Sequence, residues 1–534
     1  MNEARFGLLV TLMLCAESGT ALAQKATPPA PLQPASVPKS PATAEADKTA
    51  AERTAERNAN ARRLDEKTAV MLALRQNPGR RAAQLDLEGA KAEVFGEEGR
   101  YPYIFRADGG FTRTKSPALL AGDGITSSTS RSYTLGTELR RTFPTGTAAK
   151  LRIEGERFER DTTARLSPTG AILQAGTPNS GYGVTGRAEV VQPLMRGAGT
   201  GVGELELRVA RVSRTAAQKT LDRVTSELVR DVLSAYWELW FADESLRIEQ
   251  AALELARQQE REAQARAKQG AIAPSDVLSF STRVAQLEES LVGAEIQKRQ
   301  RSLDISRLMS SSEDMSEDFV ASTEPPPAGR MGSRADVEAA LRADSVELAE
   351  LQAQVNVARA RAEYAGESGR PLLNVEGFVE SQGLSERVPR AFERAGQMAW
   401  ITAHIGLVFE LPLDDSRREA DKTIAVLNVR SAEQNLKGTR DRISSDVMLA
   451  LANESAAIRR LALAERTLEL AEKTHEAEKA RYELGQSIPI TVQQAEDEVR
   501  RARLRVARAR VDLAQTQLVV LHLSGKLRQR YASS

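Results

Sequence analysis

The longest hydrophobic pattern in the chain covers residues 204–268 and predicts one continuous helix. Apolar side chains recur there at steps of three, four or seven residues, the period of a helix with an apolar seam. No proline or glycine interrupts this stretch before Gly270. At ~1.5 Å per residue the helix is expected to be roughly 98 Å long, whereas ordinary globular helices have ~8–20 residues. A second such stretch, 414–482, is broken only by Gly438, so the two together predict one elongated body.

A different pattern precedes the first long helix. Apolar residues follow a helical period at about 62–99 and then alternate with polar ones, which predicts strands. The predicted strands are 101–112, 133–143, 148–158 and 182–194. Segments rich in glycine, serine and threonine separate them, except that Pro144-Thr145-Gly146 makes a tight turn between the middle two.

The same order of patterns occurs twice, which indicates an internal duplication. The segment 90–100 matches 360–370 at a constant offset of 270. Gly270 and Pro274 match Gly485 and Pro489 at an offset of 215. Each repeat therefore consists of a helix, strands, a long helix, a turn and a further helix.

These patterns predict a division of the chain into two repeats with leading and linking segments. The parts are a signal peptide at 1–23, a disordered tether rich in proline and alanine at 24–60, repeat one at 61–320, a linker at 321–334 and repeat two at 335–534. Repeat one holds strands at about 101–194, the long helix 204–268 and a helix at 275–310. Repeat two holds strands at about 372–411, the long helix 414–482 and a helix at 490–525.

The first 23 residues have the pattern of a secretory signal. Arg5 gives the basic start, 6–14 the apolar run, and Ala21-Leu22-Ala23 the cleavage site between small residues. The apolar run is far too short to span a membrane as an anchor helix. Because the single cysteine, Cys15, lies in this segment, we expect an exported mature protein without disulfide or thiol chemistry.

The composition of the chain limits the kinds of partner that it is expected to bind. Charged residues make up 28% of the chain with a net charge of +1, which suits long helices with exposed, ion-paired faces. This balance gives no net attraction to nucleic acid or anionic lipid. Since no segment has ~18 consecutive apolar residues, export leaves a soluble periplasmic or secreted protein, or an outer-membrane β-barrel.

Because each chain has only a few strands, its sheet is expected to have open edges with unpaired backbone groups. In lipid every backbone N–H and C=O group needs a partner. If the strands span a membrane, they must close with copies from other chains, which a homo-oligomer with cyclic symmetry achieves.

With these features the chain resembles the TolC-like outer-membrane efflux proteins over about 62–527. The shared motifs are the duplicated order of elements, the strand exit Gln192-Pro193-Leu194-Met195-Arg196-Gly197 and the two Gly-x3-Pro turns. The resemblance implies a mainly α-helical fold with membrane β: a homotrimeric, 12-stranded outer-membrane β-barrel continued by a long periplasmic α-helical coiled-coil barrel. It also implies a passive exit duct of a tripartite efflux or type I secretion system. Its partners are then a periplasmic adaptor (membrane fusion protein) and an inner-membrane pump, with no cofactor.

The resemblance assigns roles to specific positions. Adaptor docking is expected at the turns marked by Gly270, Pro274, Gly485 and Pro489, although these residues also satisfy ordinary tight-turn chemistry. Strand-to-helix hinges are expected at Pro193, Gly197 and Pro412.

Two features depart from the family pattern. An acidic run after the second turn is replaced by Thr491-Val492-Gln493-Gln494, so Asp276 and Gln494 are the predicted pore constriction. Asp276 is equally well explained as a residue that meets the helix dipole. An additional hairpin at about 133–158 either extends outside the membrane or enlarges the barrel, and the sequence leaves both open.

Other functional classes find weaker support. His404, His475 and His522 lack metal-ligand spacing, and the glycines at 197–203 lack the third glycine of a dinucleotide loop. The sequence therefore shows no set of residues that could carry the catalysis of a secreted enzyme. The arginine-rich run 500–510 favours a solvated or pore-lining helix face over nucleic-acid binding. The alternative that stays open is a periplasmic coiled-coil adaptor or scaffold, whose strands would be too short or too polar to face lipid.

Overall fold

The computed structural model describes residues 62–120, 124–162, 165–166, 172–174, 179–270, 272–309 and 318–531. The predicted signal peptide and tether, at 1–60, lie outside this range. Within the described part of the chain, none of the helices has the length and apolar character that crossing a membrane requires.

Two very long helices organise the protein, as the hydrophobic pattern predicts. Each is followed by a shorter helix that packs back along it. The helices are α1 (Glu66–Gln76), α2 (Pro78–Glu98), α3 (Thr200–Gly203), α4 (Leu205–Lys268), α5 (Pro274–Met309), α6 (Arg334–Asp344), α7 (Val346–Ser368), α8 (Val388–Gly396), α9 (Ser416–Glu483), α10 (Pro489–Leu523) and α11 (Lys526–Tyr531). The long helices α4 and α9 have 64 and 68 residues, and their partners α5 and α10 have 36 and 35, so the helical parts of the two repeats match closely in length.

Side-chain caps set the helix boundaries in the shorter segments. Asp65 caps α1, and its side chain accepts a hydrogen bond from the backbone N–H of Thr68 at 3.3 Å. Asn77 ends α1 and caps α2, with Pro78 at the first helical position, where its missing N–H costs nothing. Ser345 does the same between α6 and α7. These capped breaks divide the short helices into two pairs, α1 with α2 and α6 with α7.

The short helices cover both sides of the long ones. Helices α1 and α2 pack end to end along α4, and α7 lies between α4 and α9. The largest core cluster surrounds the middle of α4, where Tyr236 is fully buried. Its hydroxyl donates a hydrogen bond to the carbonyl oxygen of Leu64 at 3.0 Å and accepts one from the N–H of Thr323 at 2.9 Å. The aromatic cluster of α4 is therefore a packing core that ties the start of repeat one to the linker.

The strands form one main sheet. They are β1 (Arg62–Leu64), β2 (Ile104–Leu120), β3 (Gly124–Thr142), β4 (Ala148–Thr162), β5 (Arg165–Leu166), β6 (Ile172–Gln174), β7 (Asn179–Pro193), β8 (Phe319–Ala321), β9 (Leu372–Ser385) and β10 (Ile401–Glu410). Six of them make an antiparallel sheet in the order β10-β9-β7-β4-β3-β2, while β1 pairs with β8 and β5 with β6.

The main sheet differs from the sequence expectation in strand length and number. Strand β2 was predicted to end at residue 112 and runs to Leu120, because its partner β3 begins at Gly124 rather than at residue 133. The serine and threonine residues of β3 lack the apolar alternation that marks a strand, and cross-strand pairing alone extends it. The additional hairpin β3–β4 lies within the sheet, between β2 and β7.

Candidate functional site

One face of the six-stranded sheet is apolar in the part next to the helices, and at its far end it carries the charged residues Arg113, Arg131, Arg157 and Glu159. Because neighbouring residues point to opposite faces, residues paired across strands share a face. One row of paired residues crosses all six strands and is apolar throughout: Phe105, Leu139, Leu151, Ala188, Val379 and Ala403. Several residues of this face are largely uncovered, including Phe105 and Leu135 at 69% exposed and Ile405 at 81%. Among the described elements α8 covers a corner of it, where Ser381 Oγ donates to the carbonyl oxygen of Ala395 at 2.7 Å.

The opposite face of the same sheet is charged. The neighbouring row consists of Arg106, Glu138, Arg152, Arg187, Glu380 and Thr402. Arg152 on β4 contacts both carboxylate oxygens of Asp108 on β2, at 3.0 and 2.9 Å, and lies 3.6 Å from Glu138 on β3. Further along the row, Arg187 lies 3.6 Å from Glu380. An apolar face backed by a paired, charged face is the arrangement of a sheet with lipid on one side and water on the other.

The sheet and the helices meet at a junction built on glycines. Pro193 ends β7, and Gly197 and Gly199 follow with φ of 81° and 89°, a region in which side chains are strained. A Cβ on Gly203 would lie 2.0 Å from the carbonyl oxygen of Pro144 in the β3–β4 turn. The chain thus turns from strand to helix against the turn of the additional hairpin. Pro412, the third predicted hinge residue, lies between β10 and α9.

The two predicted docking turns have the same geometry. Gly270 and Gly485 both have φ of 72° and end the long helices, and Pro274 and Pro489 begin the helices that return. The 64 residues of α4 place the first turn roughly 96 Å from the sheet. Beside the second turn, the apolar side chains Leu484 and Ile488 are 73% and 61% exposed. The second turn therefore offers exposed apolar side chains on which another protein can dock, and the first turn has a glycine of the same backbone angle.

The predicted constriction residues lie just beyond these turns. Asp276 is in the first turn of α5, and its side chain lies outside the described residues. Gln494 is exposed on α10, next to the buried Gln493. The fold therefore leaves Gln494 free to face a lumen, while its role as a constriction stays a prediction.

Sequence reasoning missed a set of ion pairs that join the two repeats near the turns. Arg283 on α5 contacts both oxygens of Asp497 on α10, at 2.6 and 3.0 Å. Arg500 on α10 contacts both oxygens of the buried Glu249 on α4, at 2.7 and 3.0 Å. Burial acts to raise the pKa of Asp497, but the hydrogen bond and charge of Arg283 hold it below its ordinary value.

The arginine-rich run is consequently only partly a solvated face. Arg503, Arg505 and Arg510 are exposed. By contrast, Arg500 is mostly buried, and Arg508 contacts Glu238 of α4 at 3.1 Å. The prediction of a solvated or pore-lining face was therefore wrong for Arg500, whereas the Arg508 side chain stays 42% exposed beside its partner. Their partners lie more than 200 residues away in the sequence, so no local pattern signals the pairs.

The histidines show no metal site. No group of three or more histidine, cysteine, aspartate or glutamate residues that could hold a metal ion occurs among the described residues. His522 is partly buried beside Ser226, with the hydroxyl 3.1 Å from Nδ1. Burial lowers the pKa of His522 to about 4, and the charge of Arg230 adds to this effect. His475 Nε2 lies 3.5 Å from Glu496 between the helices of repeat two.

Comparison with known proteins identifies the class of fold. Residues 339–526 match the family described as outer membrane efflux protein. Among solved structures, the Campylobacter jejuni CmeC outer membrane channel aligns with a TM-score of 0.62 at 14% identity, over 86% of this chain and 85% of that one. The Vibrio cholerae outer membrane protein VceC aligns with a TM-score of 0.60 at 15% identity, over 86% and 96%.

A third solved structure has a similar fold. The open state of the Neisseria gonorrhoeae MtrE outer membrane channel aligns with a TM-score of 0.57 at 14% identity, over 86% of this chain and 89% of that one. None of the curated protein sequences matches the chain. The resemblance and the fold class predicted from the sequence are confirmed by the family match and the structural alignments.

Proposed function

We propose that this chain, which resembles the TolC-like outer-membrane efflux proteins in its fold and in residues 339–526, is the exit duct of a tripartite efflux or type I secretion system. The observation that carries this proposal is the two-faced sheet at one end of the long helices. Its apolar face suits the lipid of the outer membrane, and its charged face suits a water-filled lumen. The helices then extend into the periplasm, where substrate enters.

The proposed duct is a homotrimer. One protomer contributes an open sheet whose edge strands in the described chain are β2 and β10. Unpaired edges are costly in lipid, so the sheet must close with copies of itself. Three copies arranged about one axis close both the strands and the helices into a tube.

An inner-membrane pump supplies the energy, and a periplasmic adaptor joins the pump to this protein. We place the adaptor contact at the turns of Gly270–Pro274 and Gly485–Pro489. They lie at the helix ends farthest from the sheet. A partner that comes from the inner membrane reaches these ends first. Their equal geometry offers the adaptor two similar sites per protomer.

The competing proposal is a periplasmic adaptor or scaffold that never enters a membrane. That function expects a sheet with polar residues on both faces. The row from Phe105 to Ala403 argues against it, since a sheet in water does not leave an apolar row across six strands uncovered.

Fractionation of membranes followed by an unheated gel tests the proposal. We expect the protein in the outer membrane as a trimer that dissociates on heating. Recovery of a single chain in the soluble periplasmic fraction would contradict both the duct and the trimer.

The docking turns are tested by replacing Gly270 and Gly485 with leucine in one chain. Leucine is strained at φ of 72°, so both turns must change shape. We expect export to be abolished while trimers remain in the membrane. The matched control carries leucine at Gly293 and Gly438, two helical glycines with open space around a Cβ, and should export normally. Normal export by the turn variant would refute the docking assignment.

A further inference from the structure

We propose that the hairpin β3–β4 crosses the outer membrane, so that each protomer gives six strands and three protomers close an 18-stranded barrel. This inference rests on the proposed trimeric duct and deepens it. The sequence left open whether the hairpin extends outside the membrane or enlarges the barrel, and the resemblance implied only twelve strands. The pairing, the alternation and the anchoring of the hairpin all favour the larger barrel.

The pairing shows that the hairpin is inserted between the other strands rather than appended to them. Strand β2 pairs with β3 over the whole length of β2, from Ile104↔Arg140 to Leu120↔Gly124. Strand β4 pairs with β7 from Ala148↔Val191 to Arg160↔Asn179. If the hairpin left the membrane, β2 and β7 would have to give up these ladders and pair with each other, because unpaired edges are costly in lipid.

The two faces of the sheet continue through the part of the hairpin nearest the helices, up to Arg131 on β3 and Arg157 on β4, where the apolar face becomes charged. On the apolar face Leu135, Leu139, Leu151 and Ile153 are exposed, as Phe105 of β2 is. On the charged face Arg152 of β4 contacts Asp108 of β2 across the intervening strand β3. This pattern is that of transmembrane strands, which alternate between lipid and lumen.

The periplasmic turn of the hairpin is anchored at the height where the other strands meet the helices. The N–H of Gly199 donates to the carbonyl oxygen of Thr145 at 3.1 Å, and the hydroxyl of Thr147 donates to Gln192 at the end of β7. From this anchor β3 and β4 run for 19 and 15 residues. A membrane crossing needs ~9–11 tilted residues, so both strands are long enough.

The open edges have the direction that closure requires. Strand β2 follows α2 and runs away from the helices, whereas β10 runs toward the helices and leads into α9. The β10 edge of one protomer therefore meets the β2 edge of a second copy in antiparallel orientation, as the rest of the sheet demands. Six strands from each of three protomers give eighteen.

The larger strand number has a functional consequence. Barrel diameter grows roughly linearly with strand number, so eighteen strands give a tube about 1.5 times as wide as twelve. Strand number alone thus predicts a wider outer-membrane exit than the resemblance implies, and bulkier cargo is able to leave through it.

The test uses single cysteines, since the natural chain has only Cys15, which Cys15→Ser removes. On β3 the pair is Thr134→Cys on the charged face and Leu135→Cys on the apolar face. Trimers in lipid vesicles are treated with a charged, membrane-impermeant maleimide, and labelling rates are compared. We expect the first to react at least about tenfold faster than the second, because lipid covers alternate residues of a spanning strand.

The same comparison is made on β4 and on a reference strand. On β4 we expect Glu156→Cys to react and Ile153→Cys to be protected. On β9, whose membrane crossing the proposed function already requires, we expect Gln382→Cys to react and Val379→Cys to be protected. Only variants that run as heat-dissociable trimers are scored.

The reference strand β9 distinguishes failure of the 18-stranded barrel from failure of the proposed function. If all four hairpin cysteines react equally while Val379→Cys stays protected, the hairpin lies outside the membrane and the 18-stranded barrel is overturned, but the duct stands. If Val379→Cys also reacts freely, the sheet does not face lipid and the proposed function fails with it. Counting strands by electron microscopy of the unmodified trimer decides the matter without any variant: we expect eighteen, and twelve overturns the inference.

Discussion

The two repeats agree in their helices and differ in their strands. Helices α4 and α9 differ by four residues and α5 and α10 by one, yet repeat one gives the main sheet four strands and repeat two gives it two. Helix length fixes where the turns lie, and the proposed docking of one adaptor at both turns requires the two turns to lie at similar heights. A sheet accepts another hairpin wherever its register and faces are kept. The duplication is therefore preserved in the helices, whereas the strands of repeat one include an additional hairpin.

The largest expected effect comes from placing a charge on the apolar face. Leu151→Arg in the hairpin and Val379→Arg in repeat two change residues of the same cross-strand row. If both strands face lipid, each change should destabilise the trimer by about 2–4 kcal/mol and lower the yield of heat-resistant trimer on gels. The matched control Gln382→Arg, on the charged face, should be nearly silent. A silent Leu151→Arg beside a harmful Val379→Arg would show that the repeats differ in membrane contact as well as in strand number.

The second effect concerns the ion pairs that hold the repeats together. Arg283→Met leaves Asp497 partly buried without its bidentate partner, which should cost about 3 kcal/mol of trimer stability. Arg503→Met removes an exposed arginine that lies 2.9 Å from Glu472 within repeat two, and should cost about 0–1 kcal/mol. Thermal dissociation of the trimer measures both. Equal losses would contradict the special role of the pair between repeats.

A slightly smaller effect is expected at the glycine junction of repeat one. In Gly203→Ala the new Cβ would lie 2.0 Å from the carbonyl oxygen of Pro144, so the β3–β4 turn or α3 must move, at a cost of about 2 kcal/mol. Gly201→Ala, with nothing near its Cβ, is the control. The amount of trimer in the outer membrane measures both variants. If Gly203→Ala assembles as well as the control, the turn is not held against the junction.

The last effect, no larger than the one at Gly203, is a pH dependence at His522. Its folded pKa of about 4 lies below the unfolded value, so the unfolded chain binds a proton more readily. Stability should fall as the pH drops from about 6.5 to about 4 and be unaffected above that window. One pKa unit is worth ~1.4 kcal/mol, and partial exposure of the ring reduces the sum to about 2 kcal/mol.

Replacing the ring tests that assignment. His522→Asn should remove most of the slope in thermal stability between these pH values. An unchanged slope would assign the titration to another group.

Much of the helical body was predictable because its signals are local. The absence of proline and glycine from 205–268 and the glycine at each turn define the long helices, and the structure begins α4 one residue later than the pattern does. The extension of β2 and β3 was missed because pairing across strands, not local composition, stabilises it. The partners of Arg283 and Arg500 were missed for a similar reason, since only the packing of one repeat on the other brings the charges together.

The candidate sites also differ in whether local sequence signals reveal them. The turns at Gly270 and Gly485 are visible in sequence because a positive φ selects glycine. The two faces of the sheet are visible only as a moderate alternation until the register aligns Leu139 with Leu151 and Ala188 with Val379. Register is set by pairing between distant segments, so the continuous apolar row could not be derived from the sequence.

The central claim is that one chain forms only a third of the duct. The most direct measurement is the mass of the protein extracted from outer membranes into detergent, by native mass spectrometry. The account predicts three copies of the chain in one particle that separates into single chains on heating. A single chain that remains folded in water without detergent would contradict it.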